Sequence, residues 1–146
     1  MILYTIGFTQ KSAEQFFELI KQNNVELLID VRLNNKSQLA GFSKGNDLEY
    51  FLKNISNTRY IHCQEFAPTK EILSDYQKKV ISWKEYENQF DMLLELRGDY
   101  SKFTDRFHEY NRICLLCSEP TAEKCHRRLI AEKIKSENND VEIIHL

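Results

Sequence analysis

Five side chains with usable chemistry stand in one short stretch: Cys117, Glu119, Cys125, His126 and Arg127. Two thiols, a carboxylate, an imidazole and a guanidinium can supply a nucleophile, a proton shuttle, metal ligands or an anion clamp. No other segment packs reactive groups so densely. Ile113 to Cys117 reads as a buried strand, Ser118 to Pro120 as a turn, and a helix is expected from about Ala122 to Glu137.

Cys114 and Cys117 spell Cys-x-x-Cys, but residues three apart in a strand point to opposite faces. Their sulfurs cannot then reach the Cβ separation of about 3.5–4.5 Å that a disulfide needs. Cys114 reads as a small core residue. Cys117 and Cys125 are the better pair, one at a strand end and one in the first turns of the next helix. The helix dipole and neighbouring Arg127 and Arg128 favour a thiolate there, and Glu119 or His126 could move protons. Against this, Cys125 shares a helix face with Leu129, and a buried cysteine is common.

A zinc site would need Cys117, Cys125 and His126, with Cys63 or His145 as fourth ligand. Two adjacent residues in a helix diverge by about 100°, which argues against both ligating one ion, so no metal is expected. An anion site is the third option. Backbone N–H groups after Glu119, with Ser118, Thr121, Arg127 and Arg32, would surround a phosphate at the helix start. Glu119 opposes an anion by charge unless it binds a sugar hydroxyl or a base.

The chain has 146 residues, 42% of them hydrophobic, enough for one domain, 1–146, with one core. The formal net charge of −2 gives no basic field to attract nucleic acid. No apolar run reaches the roughly 18 residues of a membrane span. The N-terminus enters a strand pattern directly, without a leader, so a cytoplasmic protein with no membrane partner is expected. Without a secretion signal, the four cysteines read as free thiols or ligands. No cofactor and no oligomeric state can be read.

Strands are expected at Ile2–Ile6, Glu26–Val31, Thr58–Cys63, Ile113–Cys117 and Val141–His145. Ser12 with Gln15, and Ser82 with Glu85, are capping boxes that open helices over residues 13–23 and from Trp83 toward Gly98. Asp47 is expected to cap a helix bearing Leu48, Phe51, Leu52 and Ile55. A further helix covers residues 69–80, and Phe103, Phe107 and Tyr110 continue a helical stripe. Arg32 to Asn46 reads as a polar loop. The second strand is apolar on both faces. The third carries Arg59 and His62 and suits an edge.

Strands alternating with helices predict a three-layer α/β/α fold with a mainly parallel sheet of about five strands, Rossmann-like or flavodoxin-like. Right-handed crossovers bring all strand C-terminal ends to one edge, where such sheets bind ligands. Gly7, Phe8, Thr9, Asp30, Arg32, His62, Cys63, Glu65, Cys117, Ser118, Glu119, Cys125, His126, Arg127 and His145 should gather there. Arg32 can bind a carboxylate or phosphate, or pair with Asp30, or do both. Phe42 can cap a ligand or dock into the core. The tyrosines at 4, 50 and 60 and the aromatic helix stripes read as core.

At Tyr4-Thr5-Ile6-Gly7, Asp30-Val31-Arg32, Ser37, Phe42, Leu115-Leu116-Cys117-Ser118-Glu119 and Cys125-His126-Arg127, the chain resembles the domain of unknown function 488 family. The resemblance runs from residue 3 to residue 145 and implies a compact α/β domain. Its most specific part is the Cys-x-Glu element followed by Cys-His-Arg. Phe8-Thr9 stand where the family often has His-Ser, and Asn34-Asn35 where a proline is common. Glu65 to Thr69 replaces a Leu-Gly-Gly. These departures fall in ligand-facing loops.

The expected function is a small enzyme acting on a nucleotide or other phosphorylated substrate. Cys117, Glu119, Cys125 and His126 would be catalytic, with a thiolate on one cysteine. Arg32, Arg127, Thr9, Asp30, Ser37 and Phe42 would bind substrate. The alternative is a non-catalytic nucleotide- or nucleic-acid-binding domain that uses the same pocket.

Overall fold

Five short strands pair into one parallel sheet in a computed structural model that describes residues 1–36 and 40–146. They are β1 (Ile2–Gly7), β2 (Leu27–Asp30), β3 (Arg59–His62), β4 (Arg112–Cys117) and β5 (Glu142–His145). The sheet order is β3-β2-β4-β1-β5, and every neighbour pair is parallel. β3 is an edge strand, as its polar residues predict.

Among the described residues, six helices cover the two faces: α1 (Ala13–Gln22), α2 (Gly45–Ser56), α3 (Lys70–Gln77), α4 (Trp83–Arg97), α5 (Phe103–Arg106) and α6 (His126–Glu137). From β1 to β2 to β3 the chain steps toward one edge; from β3 to β4 to β5 it steps back. If all crossovers share one hand, the two directions must place their helices on opposite faces. They do. Phe16, Phe17 and Ile20 of α1 pack with Leu48 and Leu52 of α2 on one face. Phe90 and Leu94 of α4, Phe103 of α5 and Ile130 and Ile134 of α6 pack on the other. The result is the three-layer, doubly wound α/β/α class, with β4 inserted between β1 and β2.

The capping boxes form as the sequence dictates. Ser12 exchanges bonds with Gln15, and Ser82 with Glu85. Two helix starts differ. α2 begins at Gly45 behind Lys44, so Asp47 lies in the first turn and is not the cap. α6 begins at His126, four residues later than expected, with Cys125 extended before it (φ −141°, ψ 136°). Phe103, Phe107 and Tyr110 give only the short α5. Among the described residues, no helix is long and apolar enough to cross a membrane.

The exits of β2 and β4 run in opposite directions across the sheet, which opens a crevice between their C-terminal ends. Asp30 ends β2 and Cys117 ends β4.

Candidate functional site

One wall of the crevice is a closed polar network. Asp30, fully buried, takes Arg32 Nε at 2.8 Å and Nη2 at 2.6 Å, on separate carboxylate oxygens. The Arg32 backbone N–H donates to Oδ1 at 3.1 Å. The Tyr60 hydroxyl donates to Oδ2 at 2.7 Å and accepts from Asn35 Nδ2 at 3.0 Å. Arg32 Nη2 also reaches the Ser43 carbonyl at 2.7 Å, and the guanidinium lies over the Phe8 ring at 5.2 Å. Asp30 thus turns Arg32 as a fixed fork. Arg32 is 3% exposed, and its Nη1 has no partner among the described residues. Burial, and then the charge of Asp30, pushes the Tyr60 hydroxyl well above its ordinary range, so it stays a donor. Tyr60 packs against the core, as its sequence predicts; its added bond to Asp30 spans thirty residues and has no local signal.

The other wall is built by β4 and the start of α6. Alternation along β4 sends Cys114 into the α1–α2 face and Cys117 into the α4–α6 face, as strand geometry requires. The Cys117 sulfur lies 3.6 Å from each ring nitrogen of His126. His126 Nε2 is 2.9 Å from the Val31 carbonyl. A carbonyl only accepts, so Nε2 carries a proton and Nδ1 is the nitrogen free to accept or ligate. Phe90 holds the ring edge-on, with centroids 5.6 Å apart.

Cys125 joins them because it precedes the helix. Two adjacent helical residues would diverge by about 100°. With Cys125 extended and His126 the first helical residue, that divergence does not arise. The ligand atoms of Cys117, Cys125 and His126, all buried, lie within 4.8 Å of one another, and they are the group able to hold a metal ion among the described residues. Cys63 and His145, the other candidate ligands, stand apart; His145 Nδ1 meets the Thr5 hydroxyl at 2.7 Å. The Cys125 thiol beside it, helped by the backbone N–H groups of Ser118 and Glu119 and the Arg127 charge, holds the Cys117 thiol below its ordinary range against its burial. Burial, and then the neighbouring Cys117, pushes the Cys125 thiol far up.

Arg127 is fully buried and sits behind this wall. Its Nη1 donates to the Glu119 carbonyl at 2.5 Å and to Cys125 Sγ at 3.4 Å, while Nε has no partner among the described residues. These bonds pin the 119–125 turn and keep it out of the helix. They also explain Gly7, where an added Cβ would stand 1.7 Å from the Glu119 carbonyl oxygen and 3.0 Å from Arg127 Nη1.

A cavity of about 210 Å³ opens between the two walls. Cys117, Ser118, Glu119, Cys125 and His126 line it from one side and Arg32, Leu33 and Asn34 from the other. Its outer wall is Leu73, Tyr76 and Gln77 with Trp83, Tyr86 and Lys124. Trp83 stacks on Tyr86 with centroids 5.0 Å apart and planes 17° apart. As its spacing predicts, this stripe belongs to the core, with Tyr86 buried and Tyr76 and Trp83 packed against it; that the same rings line a cavity is not legible in the sequence. Its helical spacing was the only signal, and that is the same for a core stripe and a pocket wall.

Other expected residues fall elsewhere. Thr9 does not line the cavity; its hydroxyl donates to the Ser118 carbonyl at 2.5 Å. The Phe42 ring packs on Phe16 and Phe17, with centroids 5.4 and 5.8 Å away, on the opposite face. His62 donates through Nε2 to the Arg32 carbonyl at 2.7 Å. Ser37 lies outside the described residues. A second cavity of about 230 Å³ sits over Phe66, Tyr100 and Phe103. Its arginines are spent: Arg97 on the Glu65 and Ala67 carbonyls, Arg106 on the Glu65 carboxylate.

The family model described as Domain of unknown function DUF488 matches residues 12–134. No curated protein and no solved structure matches the chain.

Proposed function

Given that the chain belongs to the DUF488 family, whose match spans Arg32 and the whole Cys117–Arg127 stretch, we propose that it is an enzyme acting on a nucleotide or other phosphorylated substrate. The substrate occupies the cavity between the ends of β2 and β4. Cys117, Glu119, Cys125 and His126 form the reacting centre. Arg32 and Lys124 meet the anionic group, and the Tyr76, Trp83 and Tyr86 rings suit a flat base or sugar face.

One observation carries this reading. Four reactive side chains share a cavity with a buried arginine whose Nη1 has no partner among the described residues. An unmatched buried N–H donor costs about 1–3 kcal/mol, so a site that keeps one gains by accepting an anion. Asp30 is then a positioning residue, since it fixes the plane of Arg32. Arg127 acts from behind, through Cys125 and the Glu119 carbonyl.

The test is a panel of nucleotides and sugar phosphates. Melting temperature is read first, and products are then separated by chromatography. At least one compound should stabilise the protein and be converted, and conversion should be lost in Glu119→Gln. Stabilisation without conversion would make the protein a binding domain. No stabilisation by any compound would remove the proposal.

A further inference from the structure

We propose that Cys117, Cys125 and His126 hold one zinc ion whose fourth coordination position opens into the cavity. This rests on reading the cavity as the reacting centre, and it gives the two thiols the role of ligands.

Four observations converge. The donor set is two sulfurs and one imidazole nitrogen, which selects zinc over the hard cations. The spacing fits. Zinc–sulfur and zinc–nitrogen bonds of about 2.3 and 2.05 Å at a tetrahedral angle put sulfur and nitrogen about 3.6 Å apart. Cys117 Sγ and His126 Nδ1 are 3.6 Å apart, and Sγ is equally far from Nε2, so the distance is the right one and the imidazole must turn to aim Nδ1 at the ion. The third observation is the surrounding shell. A ligating histidine almost always donates its other ring N–H to a carboxylate, carbonyl or water, and His126 Nε2 donates to the Val31 carbonyl. Arg127 Nη1 donates to Cys125 Sγ, as an N–H group does to a metal-bound thiolate. The fourth is access. All three ligands line the cavity together with Glu119, and neither Cys63 nor His145 closes the set.

Three protein ligands and an open position mark a catalytic zinc, not a structural one. A water bound there has a pKa lowered to about 7. It gives a proton to Glu119, and its oxygen bonds the electrophilic phosphorus or carbon of the substrate. The leaving group departs with the bonding pair and takes the proton from Glu119.

The test uses the full chain, stripped by chelator under reducing conditions and titrated with cobalt(II), a spectroscopic stand-in for zinc. The expected result is one cobalt per chain, with the intense d–d absorption of a tetrahedral site and a thiolate-to-cobalt charge-transfer band. Zinc should displace it. In Cys125→Ser and His126→Gln, checked for fold by circular dichroism, affinity should fall by more than about a hundredfold, while Cys63→Ser keeps it. If neither variant folds, the wild-type spectrum decides, because an octahedral spectrum without charge transfer overturns the proposal. Folded wild type that binds no cobalt or zinc, or variants that bind as wild type does, also overturns it. The titration needs no substrate, so its failure leaves the nucleotide and sugar-phosphate panel standing, and failure of the panel leaves the metal site standing.

Discussion

The two walls of the crevice use buried polar groups in opposite ways. On the β2 side, Asp30, Arg32 and Tyr60 satisfy one another almost completely, with four hydrogen bonds ending on one carboxylate. On the β4 side, two sulfurs and an imidazole nitrogen lie within 4.8 Å of one another beside the cavity. The first wall spends its bonding capacity on holding a shape, except for Arg32 Nη1, which has no partner among the described residues. The second keeps its capacity facing a cavity. Stability should therefore follow the first wall and chemistry the second.

Substitutions can break that division. The largest effect on stability is expected from Asp30→Ala. It leaves Arg32, 3% exposed, as a buried cation without its carboxylate, and should cost about 3–5 kcal/mol in urea unfolding. A loss under about 1 kcal/mol would show that water or a rearranged loop meets Arg32, and the wall would not be a scaffold. Next is Gly7→Ala, at the seam between the walls. The new methyl meets the Glu119 carbonyl at 1.7 Å, so the 119–125 turn must move. A cost of about 1–3 kcal/mol is expected, together with weakened ligand binding in the cavity.

Ser82→Ala removes the capping box that starts α4, the helix carrying Trp83 and Tyr86. About 1 kcal/mol should go, seen as a lower melting temperature with the cavity chemistry intact. The smallest cost falls on the reacting wall itself. Cys125→Ser keeps a small acceptor for Arg127 and, compared with wild type in chelator, should lose less than about 1 kcal/mol, while conversion of substrate by the metal-replete variant disappears. If that variant were as destabilised as Asp30→Ala, the β4 wall would be scaffold too.

Much of this was legible in the sequence. The caps at Ser12 and Ser82 form because both partners of each box lie three residues apart. The opposite placement of Cys114 and Cys117 follows from strand periodicity alone. What escaped was set by distant contacts. Thr121 to Lys124 carries helix formers, yet Arg127 bonds back to the Glu119 carbonyl, and the helix waits until His126. That delay decides whether Cys125 and His126 diverge or converge. The Val31 carbonyl that orients His126 is 95 residues away in the chain, and no local pattern announces it. The aromatic wall of Tyr76, Trp83 and Tyr86 keeps ordinary helical spacing, so only the packing of α3 and α4 beside the strand ends reveals it.

The chain has a single tryptophan, and it lines the cavity. Its emission can therefore report occupancy of the cavity. Titrating wild-type protein with nucleoside phosphates and sugar phosphates, and following Trp83 fluorescence, tests the central claim most directly. The account predicts a saturable change at one ligand per chain for at least one compound, weakened in Lys124→Ala. A response that never saturates for any compound, beyond what ligand absorbance explains, would contradict it.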